Sequence, residues 1–204
     1  MALEKHHFFI RKLHSLSGIL PIGIFLTEHL TVNSLSNLGP DAYNRAVALL
    51  HSIPLLPLIE ILFIAVPIAF HALYGLWVVY LAKNNVLTYT YYRNWLFYLQ
   101  RLTAVFTFIY VLYHTYTLSI SRVLFGLEIS FQTMTTVLSN PWVLAFYIVG
   151  LVSAAFHFAN GLATFLITWG ITVGPFSQKV ATVISGLVFI VLSFMGIQSL
   201  LAFI

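Results

Sequence analysis

The chain has 204 residues, of which 60% are hydrophobic and only 7% charged, and its formal net charge is +4. Charged residues make up about a quarter of an ordinary soluble domain, so this composition excludes a water-soluble globular protein. At about 20 apolar residues per bilayer crossing, the length accommodates five membrane spans with short connections. We therefore expect any large catalytic domain to belong to a partner.

The sequence contains no cysteine. This excludes disulfides, a nucleophilic thiol, thiolate-bound iron–sulfur clusters and covalent haem attachment, so histidine must hold any redox cofactor. The nine basic residues are scattered through an apolar chain, which argues against nucleic-acid binding. The first apolar stretch is long and four comparable stretches follow it, so we expect no removable signal peptide.

Apolar runs between charged or turn-rich breaks predict an all-α fold, a single integral membrane domain over residues 1–204. Helices are expected because backbone polar groups in lipid need internal partners, and because the runs lack the alternation of a membrane barrel. Pro21 and Pro67 predict kinks rather than breaks. A Pro near its start and apolar residues at helical spacing predict a short interfacial helix over about 40–52. The predicted transmembrane spans are 13–35, 58–82, 95–121, 141–169 and 180–203.

Basic residues predict the orientation of the bundle. With five spans the termini lie on opposite sides, and seven of the nine basic residues fall on the side of the N-terminus, which is therefore expected to be cytoplasmic. The seven are Lys5, Arg11, Lys12, Lys83, Arg93, Arg101 and Lys179, and the other two are Arg45 and Arg122. Three tryptophans near span ends are expected to be interfacial anchors: Trp95, Trp142 and Trp169.

One histidine lies inside each of the first four predicted spans: His29, His71, His114 and His157. The residues around them are not repeated, so their even spacing indicates successive helical hairpins and not internal duplication. A single histidine in a membrane helix commonly makes an ordinary hydrogen bond. Burying four ionisable rings is costly, and ligation to iron would give each lone pair a partner while keeping the ring neutral.

Depth in the membrane predicts how the four histidines pair. At about 1.5 Å per helical residue, His29 and His114 lie roughly 25–29 Å from the cytoplasmic ends of their spans, whereas His71 and His157 lie roughly 18 Å from them. The predicted pairs are His29 with His114 and His71 with His157. Two separate levels and the lack of a completing carboxylate or thiolate disfavour zinc or copper, and favour two bis-histidine b haems that transfer electrons.

Glycines and polar groups near the inner pair are candidate haem contacts. Gly75 and Gly161 share the spacing His-x-x-x-Gly and are expected to clear space for a flat ring, with close helix packing as the alternative. Propionates need cationic or polar partners at the cytoplasmic ends of spans one and three. Arg101 lies within an apolar run, where an unpaired guanidinium is costly; Arg11 and Arg93 could equally snorkel to lipid phosphate. The candidates are Arg11, His14, Ser15, Arg93 and Arg101.

Two carboxyl groups lie at the outer level, Glu28 beside His29 and Glu60 near the outer entrance of span two. Beside a quinone pocket either could relay protons. The alternatives are a protonated, hydrogen-bonded carboxyl and one that reaches water. The histidines outside the predicted spans, His6, His7 and His51, are expected to be solvated.

Several segments together resemble the di-haem cytochrome b membrane anchor of Gram-positive-type succinate:quinone oxidoreductases, and they extend across four of the five spans. They are 11–18 (RKLHSLSG), 25–29 (FLTEH), 71–75 (HALYG), 92–101 (YRNWLFYLQR) and 156–161 (FHFANG) through 167–175 (ITWGITVGP). Two departures stand out. Thr103-Ala104 occurs where the family often has Thr-Gly, and Glu28 replaces a more usual uncharged neighbour of the first ligand.

The resemblance implies that His29, His71, His114 and His157 bind two b haems. It also implies a cytoplasmic flavoprotein that oxidises succinate to fumarate, an iron–sulfur subunit docked on the anchor, and a quinone, commonly menaquinone, reduced in the bacterial cell (inner) membrane. The predicted electron path runs from this partner to the inner haem, then the outer haem, then quinone.

Three alternatives remain open. A quinol:fumarate reductase anchor would run the same path backwards, and sequence does not decide the direction. A haem-free proton or solute transporter would use the histidines as a relay, but the chain lacks inverted repeats and paired broken helices. A purely structural anchor would leave four buried imidazoles unexplained.

Overall fold

Five apolar helical stretches dominate the fold. The computed structural model describes residues 2–204, with side chains from residue 7 onward, so the side chains of Lys5 and His6 lie outside the described residues. The described chain is helical and contains no strand. Five stretches are long and apolar enough to cross a membrane, which confirms the predicted all-α membrane bundle. The first to fifth spans are His7–Leu38, Leu56–Leu81, Tyr92–Phe125, Pro141–Thr168 and Pro175–Leu201.

The spans combine α-helices with short segments of other helical types. The α-helices are α1 (Ala2–Ile19), α2 (Pro21–Asn33), α3 (Pro40–His51), α4 (Leu56–Glu60), α5 (Val66–Leu81), α6 (Tyr92–Thr115), α7 (Ser121–Phe125), α8 (Phe131–Leu138), α9 (Pro141–Thr168) and α10 (Pro175–Leu201). A 3₁₀ segment covers Ser34–Leu38, and π-helical segments cover Ile61–Ala65 and Tyr116–Ile120.

Two prolines leave their spans helical, as predicted. Leu20 separates α1 from α2, yet the Ile24 amide donates to the Leu20 carbonyl and continues the ladder past Pro21. Pro67 cannot donate a backbone hydrogen bond, and it directly follows the π-helical segment Ile61–Ala65, in which the helix is wider. Each span therefore passes its proline with a local change of helical geometry.

A layer of two short helices covers one end of the bundle. Helix α3 (Pro40–His51) lies where the sequence predicted a short helix, and its interfacial position stays a prediction. Helix α8 was not predicted because eight residues show too little periodicity. The Phe131 amide of α8 donates to Asn44 Oδ1 of α3 at 2.8 Å. Tyr43 and Phe131 also pack on Phe203, with ring centroids 5.0 and 4.9 Å apart. This layer therefore packs against the end of the fifth span.

The most extensive helix packing lies among spans three, four and five. A Cβ at Gly150 would lie 2.2 Å from the Tyr110 ring, and a Cβ at Gly196 would lie 2.3 Å from Leu151 Cδ1, so glycine lets these backbones approach. None of the residues of the second span is fully buried. That span packs on the rest of the described chain through a partly buried face, which includes His71.

Some helix limits differ from the predicted ones because the helices continue beyond their apolar cores. The first span includes His7, which was expected to lie outside the spans, and the third includes Arg122. The three tryptophans lie where they were expected, at helix ends. Trp95 lies in the first turn of α6, Trp142 in the first turn of α9, and Trp169 directly after α9.

Candidate functional site

The four intramembrane histidines lie in two pairs of neighbouring rings. The ring centroids of His29 and His114 are 5.7 Å apart, with an angle of 82° between the ring planes. Those of His71 and His157 are 6.0 Å apart, with an angle of 87°. These are the partners that helix depth predicted. Each pair joins one ring from the hairpin of spans one and two to one ring from the hairpin of spans three and four.

Two groups of the first span contact the same nitrogen of His71. The His14 carbonyl oxygen lies 3.0 Å from His71 Nδ1, and Ser17 Oγ lies 3.2 Å from it. Because a carbonyl can only accept, Nδ1 carries the hydrogen and donates it. His71 Nε2 then keeps its lone pair, which is the tautomer that a metal-binding imidazole requires.

His157 is held in a closely similar way by the third span. Its Nδ1 lies 3.1 Å from the Gln100 carbonyl oxygen, which accepts the hydrogen. The Thr103 hydroxyl lies 3.3 Å from the same carbonyl, as the Ser17 hydroxyl lies 2.8 Å from the His14 carbonyl. In both cases the histidine follows the residue that supplies the carbonyl by 57 positions.

We call these arrangements the first clamp (His14, Ser17, Gly18 and His71) and the second clamp (Gln100, Thr103, Ala104 and His157). A Cβ at Gly18 would lie 2.6 Å from His71 Cε1, so the first clamp requires glycine. Ala104 occupies the corresponding position of the second clamp, next to Thr103. The alanine that departs from the family pattern therefore lies in a helix turn that still holds His157.

The two glycines of the His-x-x-x-Gly motifs face the clamp residues of the neighbouring span. A Cβ at Gly75 would lie 3.2 Å from His14 Nε2, and a Cβ at Gly161 would lie 3.4 Å from Gln100 Nε2. These glycines therefore admit a polar side chain from the facing helix. Their expected contact with a flat ring stays a prediction.

His14 and Arg101 carry buried polar atoms that have no hydrogen-bond partner in the described part of the chain, His14 Nε2 and Arg101 Nε. The His14 ring stacks on His71 at 4.1 Å with an angle of 12°. Parallel stacked rings do not direct their nitrogens at one centre, so His14 is not the ligand opposite His71. Arg101 donates from Nη1 to the Phe97 carbonyl of its own helix. Both free atoms suit a carboxylate acceptor such as a propionate.

The other predicted propionate contacts lie at the same end of the bundle. Arg93 Nη2 donates to Gln178 Oε1 at 2.9 Å, which joins the third and fifth spans. Arg11 is exposed and Ser15 is partly buried. Lys12 donates to the Thr168 carbonyl. Cationic side chains thus link spans one, three, four and five at the end expected to face the cytoplasm.

The donor set fits an iron held between two imidazoles. Imidazole nitrogens lie about 2 Å from a bound metal, so rings on opposite sides of it have centroids about 6 Å apart, close to the observed 5.7 and 6.0 Å. Among the described residues no three or more His, Cys, Asp or Glu gather at one possible metal site. A haem iron needs only two protein ligands, because its macrocycle fills the other positions. In the outer pair, His114 lacks the hydrogen bond from Nδ1 that both histidines of the inner pair make, because its Nδ1 is buried without a partner in the described chain.

Glu60, a candidate proton relay, is engaged in an ion pair. Arg122 Nη2 donates to Glu60 Oε2 at 3.0 Å, and Arg122 Nη1 contacts His51 Nε2. This cluster, the outer triad (His51, Glu60 and Arg122), joins α3 to spans two and three. His51 is exposed, as expected from the sequence, and its Nε2 also lies against the Arg122 guanidinium. Sequence reasoning missed the triad because its members are 62 and 71 residues apart.

Glu28, the other candidate, lines an open groove of about 520 Å³ on the first span. Thr27 and Thr31 contribute the other polar side chains, and Phe158 of the fourth span closes one side. The rest of the lining is apolar or glycine. The groove therefore presents a few polar groups in an apolar setting, and its residue Glu28 directly precedes His29 of the outer pair.

Comparison with known proteins agrees with the motifs. Residues 82–197 match the family described as succinate dehydrogenase/fumarate reductase transmembrane subunit. The chain is also 44% identical over 197 residues to the succinate dehydrogenase cytochrome b558 subunit of Bacillus subtilis (strain 168), and the alignment covers 97% of each chain. The resemblance stated from the sequence is confirmed.

The outer triad predicts a pH dependence of stability. Burial lowers the pKa of His51, and Arg122 lowers it further while Glu60 opposes the change. The unfolded chain, in which His51 returns toward its ordinary 6.5, therefore binds more protons than the folded chain as the pH falls through that value. We expect stability to decrease on acidification, and His51→Gln to reduce the decrease. The change of stability with pH is measured by thermal unfolding of both proteins in detergent between about pH 8 and pH 5. The same slope in wild type and variant would contradict this.

Proposed function

The chain belongs to the succinate dehydrogenase/fumarate reductase transmembrane subunit family, and we propose that it is the cytochrome b subunit that anchors a succinate dehydrogenase in the bacterial membrane and passes electrons to quinone. The observation that carries this proposal is the arrangement of four intramembrane imidazoles in two pairs, with the tautomer of the inner pair set by main-chain carbonyls.

Each histidine pair would hold one b haem, which would supply single-electron transfer. The His14 and Gln100 carbonyls keep Nε2 of His71 and His157 available. His14 Nε2 and Arg101 Nε would donate hydrogen bonds to the propionates of the inner haem. Arg11, Ser15 and Arg93, at the same end of the bundle, would complete that polar surface.

The cationic end of the bundle is the proposed docking face for the partners. Most basic residues of the chain are expected on this side, which the positive-inside rule makes cytoplasmic. An iron–sulfur subunit bound there, itself receiving electrons from a flavoprotein that oxidises succinate, would lie beside the His71–His157 pair. Electrons would then pass to the His29–His114 pair. The name of the Bacillus subtilis relative favours succinate oxidation as the direction.

We place the quinone at the groove of Glu28, Thr27 and Thr31, near the outer pair. A quinone, with menaquinone the expected type, needs an apolar channel for its tail and polar groups for its two carbonyl oxygens. Reduction to quinol takes two electrons and two protons. Glu60 is a weaker candidate because Arg122 already occupies its carboxylate.

Haem content of single variants tests the haem proposal. His71→Ala and His157→Ala should each remove the same haem, and His29→Ala and His114→Ala the other, because either ligand alone leaves iron without its opposite imidazole. Each variant should therefore lose half of the b haem per polypeptide, quantified by reduced-minus-oxidised absorbance of the purified complex. His51→Gln serves as a control that keeps both haems. A wild-type complex without b haem would refute the proposal, and loss of one haem only on joint removal of His29 and His71 would refute the pairing.

Quinone kinetics test the groove. Glu28→Leu should raise the KM for a soluble quinone analogue several-fold, because it removes a polar group that holds the quinone ring. Glu60→Gln should leave that KM unchanged, because it alters only the outer triad. Succinate:quinone activity of both variants, measured on complexes with full haem content, gives the comparison. The reverse pattern would move the quinone site to the outer end of the second span.

A further inference from the structure

We propose that Gln100 and Asn160 are positioning residues for His157, and that their paired side-chain amides set the redox potential of the inner haem without affecting the outer one. This inference rests on the proposed function, which places a haem between His71 and His157. It assigns a role to two residues that lie beside the ligand but were not identified as functional from the sequence.

The Gln100 side chain bonds to span four at both ends of its amide. Gln100 Nε2 donates to the His157 carbonyl at 3.0 Å, and Asn160 Nδ2 donates to Gln100 Oε1 at 2.7 Å. Asn160 Nδ2 also lies 3.3 Å from the Leu96 carbonyl, one turn earlier in span three. Because both the donor and the acceptor of the Gln100 amide are used, the side chain cannot rotate without breaking a hydrogen bond.

The amide pair of Gln100 and Asn160 fixes the position of α6 against α9, and therefore the position of the α6 carbonyl that accepts from His157. Nδ1 of His157 donates to the Gln100 carbonyl at 3.1 Å, an oxygen that belongs to the helical backbone of α6. A helix carbonyl can accept a hydrogen bond from a neighbouring helix only if the relative orientation and the distance of the two helices are fixed. Inside a membrane no water replaces a lost contact, so the amide pair and the imidazole bond depend on each other.

The first clamp also holds its histidine Nδ1 at a main-chain carbonyl, but without a side-chain amide. His14 stands in place of Gln100, and the Ser17 hydroxyl lies 3.2 Å from His71 Nδ1. The main-chain acceptor is common to both clamps, whereas the side-chain support differs. Removal of the amide pair should therefore act on His157 and leave the support of His71 intact.

The bond from Nδ1 to a carbonyl controls how strongly the imidazole donates electrons to a metal. A stronger bond at Nδ1 makes the other nitrogen more basic, which favours the oxidised iron and lowers the potential. A looser bond has the opposite effect. A carboxylate in place of the Gln100 amide would put an anionic oxygen close to Nδ1, since Gln100 Nε2 now lies 3.2 Å from it.

Potentiometric titration of the purified complex tests the inference. Gln100→Leu should raise the potential of the haem that is lost in His157→Ala, whereas Gln100→Glu should lower it. Asn160→Leu should raise it less than Gln100→Leu, and the double variant should match Gln100→Leu alone, because Asn160 acts through Gln100. Gln198→Leu, the same exchange at an exposed position of span five, should change neither haem.

A second signal reports the ring itself. The low-spin paramagnetic resonance signal of a bis-imidazole haem depends on the angle between the two ring planes, so Gln100→Leu should alter the inner signal and spare the outer one. Unchanged potentials in Gln100→Leu, or shifts of one sign for both Gln100→Leu and Gln100→Glu, would overturn the inference. A wild-type complex that lacks b haem would instead refute the proposed function. If Gln100→Leu does not assemble, Gln100→Glu and Asn160→Leu still have to shift the inner potential in opposite directions.

Discussion

The exclusion of water from the membrane interior decides how the two imidazoles of the inner pair, His71 and His157, are held. In His71 and His157 the ring nitrogen that carries hydrogen donates to a main-chain carbonyl of the neighbouring span, because no water is present there to accept it. That bond requires the helices to approach closely, which the absence of a side chain at Gly18 permits in the first clamp. The same bond leaves the opposite nitrogen free to bind a metal. The same hydrogen bond therefore depends on the helix packing and sets the tautomer that a metal ligand requires.

The two hairpins form this hydrogen bond with the same geometry but with different side chains around it. The spacing of 57 residues from carbonyl to imidazole, and of three residues from carbonyl to hydroxyl, is the same in both clamps. Each histidine pair takes one ring from each hairpin, so the hairpins would be held together through the metals they share. In contrast, the outer layer of α3 and α8 and the outer triad join the spans by ordinary packing and charge.

Much of this architecture follows from the sequence because hydrophobic length and helical rise are regular. The five apolar spans, the short helix α3 and the two pairs of neighbouring histidines were predicted from apolar runs and from depth. The clamps were not predicted, because a backbone carbonyl is supplied by every residue type and therefore has no signature: His14 and Gln100 do the same work with unlike side chains. The pairing of Glu60 with Arg122 was missed because it depends on tertiary contact between distant residues. The helix α8 was missed because it is short.

In the proposed arrangement, each haem iron would lie between one imidazole of spans one and two and one imidazole of spans three and four. A cryo-electron microscopy map of the assembled complex tests it most directly, because iron and macrocycle give the strongest density within the bundle. We expect two haems, one between His71 and His157 and one between His29 and His114. An iron bound by two histidines of the same hairpin, or a single haem, would contradict it.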